Sequence, residues 1–183
     1  MTGIRSFLAL PIDDAARDRL AAAIGELRPL LPGARLARSE TLHVTLRFLG
    51  DSSQPALDRI SAQVGETAAG CSPCAVPLSG PGTFPTRGSP RVLFVSLALP
   101  GELCELQLAC ERAAAAAGFA RETRPFRPHL TLARWRDRSP RPSLPPLELG
   151  SARLDRLVLF ASRLAPGGAQ HTALATFPFR GAA

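Results

Sequence analysis

Two stretches of the chain repeat one another: Thr41-Leu42-His43-Val44-Thr45-Leu46-Arg47-Phe48 and Arg127-Pro128-His129-Leu130-Thr131-Leu132-Ala133-Arg134. Both contain His-x-Thr-Leu, and together they use two of the only 3 histidines in 183 residues. No other feature limits the possible folds as much. Successive side chains of a strand alternate between faces, so each segment offers one face with a His and a Thr. The other face carries Val44 and Leu46, or Leu130 and Leu132, and has to be buried. Two equivalent strands of this kind predict two similar lobes, related by an ancient duplication, whose polar faces meet at a cleft.

The rest of the chain reads as strands and helices around these motifs. Ile4 to Leu10 is a strand ended by Pro11, and Asp13 then caps a helix running to about Leu31, stopped by Pro32 and Gly33. Leu42 to Leu49 alternates as a strand, and Leu57, Ile60 and Val64 mark a second helix after a Ser cap. Ala75 to Leu78 and Arg91 to Leu99 read as strands separated by a Gly/Pro-rich turn region, Gly80 to Pro90, and a third helix spans Glu102 to Ala117. Leu130 to Trp135 is a strand, Ser139 to Pro146 an extended loop, and Arg153 to Leu164 and His171 to Phe179 are the closing strands. The expected fold is α+β: mainly antiparallel sheets flank a central cleft, with helices outside. Residues 1–183 are expected to form a single domain of two pseudo-symmetric lobes, and a monomer is the default.

The net charge is +7 and every basic residue is Arg, with no Lys. That suits an anionic partner such as RNA or a nucleotide, although a composition this rich in Ala, Arg, Pro and Gly also reads as biased codon usage. No stretch is long and apolar enough to span a membrane, and the N-terminus lacks a signal-peptide cleavage pattern, so a cytoplasmic protein is expected. Cys71 and Cys74 have no second CxxC, and Cys104 and Cys110 fall in a helix, which predicts unpaired thiols.

Two imidazoles and two hydroxyls facing one cleft suit phosphoryl chemistry. A neutral His takes a proton from the nucleophile, a protonated His gives one to the leaving oxygen, and Thr45 and Thr131 bind the non-bridging oxygens. For a lone His the favoured reading is structural; duplication reverses it. A zinc site on His43 and His129 would lack a third ligand, so neither metal nor cofactor is expected.

On these segments the chain resembles the bacterial RNA 2′,3′-cyclic phosphodiesterases, also called 2′-5′ RNA ligases, of the two-histidine (2H) phosphoesterase superfamily. The likeness runs from Arg5-Ser6-Phe7-Leu8-Ala9-Leu10-Pro11, through both His motifs and Pro90-Arg91-Val92-Leu93-Phe94, to the last strands. It implies metal-independent hydrolysis of a ribose 2′,3′-cyclic phosphate to a 2′-phosphate, acting on RNA ends or nucleotides, with 2′-5′ ligation as the reverse reaction. It also implies His43 as proton donor and His129 as proton acceptor, assignments that the near-symmetry of the lobes leaves interchangeable on sequence grounds. The motifs equally admit a 2H enzyme acting on ADP-ribose cyclic phosphate or 2′-5′ oligonucleotides. A binding module that holds RNA ends without turnover is the non-enzymatic alternative. No membrane and no obligatory protein partner are implied.

Arg134 matches the family pattern His-x-Thr-x-x-Arg, in which the guanidinium assists phosphate binding. Strict alternation would put it on the face opposite His129, so it reaches the cleft only if the strand ends or bulges near Ala133. Arg47 has the parity of His43 and is the rival phosphate ligand. His171 stands where relatives often carry an aromatic residue and is taken as structural. Phe7, Phe48 and Phe84 are the candidates for stacking on a base.

Overall fold

The computed structural model describes residues 3–165 and 168–181. The strands are β1 (Ile4–Pro11), β2 (Ala34–Leu36), β3 (His43–Ser52), β4 (Cys74–Phe84), β5 (Val92–Leu97), β6 (His129–Trp135), β7 (Ser151–Leu154), β8 (Arg156–Ala165) and β9 (Gly168–Pro178). The helices are α1 (Asp14–Leu27), α2 (Gln54–Gly70) and α3 (Gly101–Ala116). All strand pairs are antiparallel, in the order β7-β4-β5-β6-β3-β1-β8-β9, with β2 added to β6. The order centres on β6 and β3, so each half of the sheet, or lobe, contains four strands of the path and one His-x-Thr segment at its inner edge.

Each helix turns an apolar stripe to the sheet, with Leu20, Ile24 and Leu27 of α1, Leu57, Ile60 and Val64 of α2, and Leu103, Leu106 and Cys110 of α3 all buried. Burying each of the larger aliphatic side chains contributes on the order of 1.5–3 kcal/mol. The connections cross between lobes. α1 follows β1 yet docks beside β7. The Asp13 carboxylate accepts from Ala16 N at 3.3 Å, capping α1, and from Arg153 N at 2.6 Å, and Arg19 Nε donates to Leu149 O at 3.2 Å. α3 follows β5 and packs behind β3, where buried Gln107 donates to Leu46 O at 3.5 Å.

The strand, helix, strand, helix opening lies where expected, with α1 giving way to a 3-10 turn at Arg28–Leu30. Two readings need correction. The segment Gly80 to Phe84, expected as turn, belongs to β4: Gly82 pairs with Phe94, and a Cβ there would stand 2.7 Å from the Phe94 ring. A glycine is needed for this close approach, and in a Gly/Pro-rich stretch it is indistinguishable from a turn signal. The run Arg153 to Leu164 is two strands. β7 pairs with β4 in one lobe and β8 with β1 in the other, and Asp155 marks the passage between them. β2, three residues long, carries no periodic signal and was missed.

Candidate active site

The two His-x-Thr strands touch at one register pair, Val44 opposite Leu130, both fully buried. One step to either side sets His43 across from Thr131 and Thr45 across from His129. Side chains of one parity share a face, so all four polar groups lie on the cleft face, partly buried, around a local twofold through Val44 and Leu130. Beyond this pair the strands part. β3 continues along β1, and β6 along β2 and β5.

Both imidazoles are held alike. His43 Nδ1 lies 2.7 Å from Thr41 O, and His129 Nδ1 lies 2.7 Å from Arg127 O, in each case the carbonyl two residues upstream. A carbonyl only accepts, so each Nδ1 carries the hydrogen and each Nε2 is left for chemistry. Aromatic rings fix the tilt. Phe7 stacks on His43 at 4.8 Å between centroids, with Phe160 stacked on Phe7 at 5.3 Å. In the other lobe Phe84 and Phe94 stack at 4.1 Å and meet His129 edge-on at 5.4 and 5.6 Å. Burial in this apolar setting, reinforced by the positive fields of His171, Arg134 and His129, lowers the His43 pKa to about 4 against the opposing pull of the Thr41 carbonyl. Burial also lowers His129, with Arg134 acting the same way and the Arg127 carbonyl opposing.

The bulge on which a cleft-facing Arg134 depends is present. Along β5 and β6 the register steps from Leu93–Ala133 to Phe94–Thr131, leaving Leu132 as the extra residue. Leu132 and Ala133 are both buried, and Arg134 returns to the cleft face, where it donates to Thr131 Oγ1 at 3.4 Å. Its charge acts on both catalytic-candidate imidazoles. β3 does the same: the register steps from Leu8–Arg47 to Ala9–Thr45, Leu46 is extra, and Phe48 emerges on the cleft face, 59% exposed. Each extra residue's carbonyl finds a donor, Ala37 N at 2.7 Å for Leu132 and Gln107 Nε2 at 3.5 Å for Leu46.

This geometry removes Arg47 from the phosphate ligands. The bulge turns its buried side chain toward α3, where Nε lies 3.2 Å from Glu111 Oε1 and Nη2 donates to Ala120 O. Parity counted through an unbroken strand was the source of that expectation. Of the three Phe candidates, Phe7 is buried behind His43 and Phe84 is packed on Phe94, which leaves Phe48 with an open face.

His171, taken from sequence as structural, lies beside the candidate site, a position that its local sequence does not reveal. From β9 its ring meets Phe7 edge-on at 4.9 Å and His43 edge-on at 5.4 Å, and its Nδ1 is buried without a hydrogen-bond partner. Burial and the Arg38 charge lower its pKa. Its pairing opposite Ser162 on β8 places it in the Phe7–Phe160 row, a neighbourhood invisible without the β8–β9 register. Among the described residues no group of three or more His, Cys, Asp and Glu is arranged to hold a metal ion.

A family profile described as the 2′-5′ RNA ligase superfamily matches residues 16–162. A protein of Methanothermobacter thermautotrophicus named RNA 2′,3′-cyclic phosphodiesterase is 30% identical over 181 residues, covering 95% of this chain and 98% of its own. The protein of that name from Thermus thermophilus is 32% identical, covering 97% of this chain and 91% of its own. Among solved structures, a Thermus thermophilus protein superposes with a TM-score of 0.84 at 31% identity, over 97% of this chain and 98% of its own. E. coli LigT complexed with 3′-AMP superposes with a TM-score of 0.83 at 26% identity, over 97% and 98%. With the bulged His-x-Thr strands, their shared cleft and the whole-length likeness in agreement, the chain belongs to the 2′-5′ RNA ligase superfamily, the two-histidine phosphoesterases.

Proposed function

We propose that this protein is an RNA 2′,3′-cyclic phosphodiesterase that opens a ribose 2′,3′-cyclic phosphate to a 2′-phosphate with a free 3′-hydroxyl. The antiparallel pairing of two His-x-Thr strands carries the reading, because it sets two imidazoles about one twofold with a hydroxyl beside each. A cyclic phosphodiester seated on that axis presents its non-bridging oxygens to Thr45, Thr131 and Arg134. These are preorganised donors aimed at the charge that grows in the transition state.

His129 accepts a proton from water as the water oxygen bonds to phosphorus. The P–O3′ bond breaks, and His43 donates its Nε2 proton to O3′. The cycle needs protonated His43, whose pKa is low in the free protein because burial and cationic neighbours disfavour its charge. A bound phosphodiester supplies a negative charge against those same cations and raises it. With an RNA 5′-hydroxyl in place of water as the nucleophile, the same step joins ends by a 2′-5′ bond, His129 taking the hydroxyl proton and His43 protonating O3′. No step calls for a metal.

The relatives named RNA 2′,3′-cyclic phosphodiesterase and the LigT complex with 3′-AMP support RNA ends and nucleotides as substrates. We read the two lobes as products of one duplication within a single domain, working as a monomer. No helix among the described residues is long and apolar enough to cross a membrane, and the four cysteines are free. Burial pushes the Cys110 thiol up to about 12, which keeps it protonated and inert. These features fit a reducing cytoplasm.

The test is incubation with 2′,3′-cyclic AMP in excess EDTA. Formation of 2′-AMP, abolished in His43→Ala and in His129→Ala, is expected. Tight binding without product, or a product carrying a 3′-phosphate, overturns the assignment.

A further inference from the structure

One charge on the cleft face is left over by this chemistry. β2 runs antiparallel to the end of β6, and Arg35 is the register partner of Arg134. Register partners project from the same face of a sheet, so the two guanidiniums are neighbours on the cleft side. Like charges directly opposite one another destabilise a strand pair. Neither arginine joins any of the ion pairs among the described residues. Arg134 is engaged by Thr131, whereas Arg35 reaches toward the other lobe. Its Nη2 would stand 2.8 Å from a Cβ on Gly168 at the start of β9, where the glycine holds φ +126°. A side chain at position 168 would crowd the guanidinium out of this seat.

A sheet that keeps an unpaired cation beside its phosphate-holding cation, against their mutual repulsion, leaves both to be neutralised by the ligand. We propose that Arg35 is a second phosphate subsite, binding the phosphate on the 5′ side of the terminal ribose. The inference rests on the cyclic-phosphate reading of the site and extends it. The cyclic phosphate occupies the Thr45–Thr131–Arg134 centre, and the next phosphate of the same strand lies one ribose away. Adjacent strands stand about 4.8 Å apart, so two long arginines on neighbouring strands can serve successive phosphates of one chain. A guanidinium fork suits a phosphodiester better than a point charge does. The protein is therefore built to prefer an RNA 3′ end, or any nucleotide bearing a 5′-phosphate, over a cyclic nucleoside phosphate without one.

The experiment compares kcat/KM for three substrates: adenosine 2′,3′-cyclic phosphate, the same nucleotide with a 5′-phosphate, and the dinucleotide ApA ending in a 2′,3′-cyclic phosphate. The wild-type protein is expected to favour the two phosphate-bearing substrates by about tenfold, mostly through KM, the scale of one charge-assisted hydrogen bond. Arg35→Gln is expected to bring that preference below about twofold while cyclic AMP hydrolysis changes less than twofold, and Arg35→Lys to keep part of it. The preference should also shrink as salt rises, because an added phosphate contact adds to the salt slope. Parallel loss on all three substrates in Arg35→Gln, or a preference that survives it, overturns the subsite. A wild-type protein that leaves cyclic AMP intact overturns the cyclic-phosphate reading itself, which is a separate result.

Discussion

Arg134 and Phe48 occupy the same place in the two halves of the cleft, each five residues beyond its histidine and each brought onto the cleft face by a one-residue bulge. The site is near-symmetric in its imidazoles and hydroxyls and asymmetric here, with a cation on one side and an exposed aromatic face on the other. Arg134→Gln is expected to lower kcat by about a hundredfold, the scale of removing one transition-state donor. Phe48→Ala is expected to raise KM for 2′,3′-cyclic AMP by about tenfold with kcat little changed, as loss of a base-stacking surface would. Steady-state kinetics on both variants separates the effects; a kcat loss confined to Phe48→Ala would exchange the two roles.

The matched hydrogen bonds of His43 and His129 to upstream carbonyls fix a tautomer. Nitrogen-15 NMR of the neutral protein should show hydrogen on Nδ1 and a free lone pair on Nε2 in both rings. Hydrogen on Nε2 of either ring would contradict the arrangement.

Burial of His43 links stability to pH. Its folded pKa of about 4 lies below the ordinary histidine value of 6.5, so between these values the unfolded chain binds more protons than the folded one. Stability from this group is full above pH 6.5 and declines as pH falls toward 4. The loss by pH 4 is about 3 kcal/mol. His43→Gln removes the titration, and urea midpoints measured at neutral and mildly acid pH should fall less in the variant than in the wild-type protein.

His171 disfavours charge on His43, second only to burial among the causes. His171→Phe, which keeps an aromatic ring against Phe7, is expected to raise the His43 pKa. Proton NMR titration of the His43 ring reads this directly; an unmoved pKa would mean that the edge-on contact carries no charge coupling.

Gly82 lies under Phe94, the ring that backs His129. Gly82→Ala drives a methyl into that ring and is expected to cost about 1–3 kcal/mol of stability, the range for overpacking a filled site. Thermal melts together with turnover should show both falling as Phe94 shifts against His129.

The legible part of the site was the part written in local order. His43, Thr45, His129 and Thr131 share a parity that no tertiary contact had to supply, and the α+β alternation followed from periodicity and caps such as Asp13. Arg134 needed one conditional step, a bulge near Ala133, because a bulge is chosen by what fills the extra carbonyl: Ala37 N in β6 and Gln107 in β3. Arg47 went astray for the same reason in the opposite direction, since Glu111 on a distant helix receives it. His171 lay out of reach because its neighbours are set by β8 pairing with β1 on one edge and β9 on the other. Gly82 reads as punctuation because the Phe94 ring above it comes from a neighbouring strand.

The contact between Val44 and Leu130 makes the pair a gauge block for the whole enzyme. Both residues are sealed in the core, and the strands diverge on either side, so the separation of the two imidazoles is referenced to this one backbone station and not to the periphery of the sheet. Hairpins and loops that carry none of the groups packed around the two imidazoles are thereby free to lengthen, shorten or change sequence without retuning the reaction. A residue inserted between either histidine and its station would invert that side chain and extinguish turnover while leaving most of the fold standing.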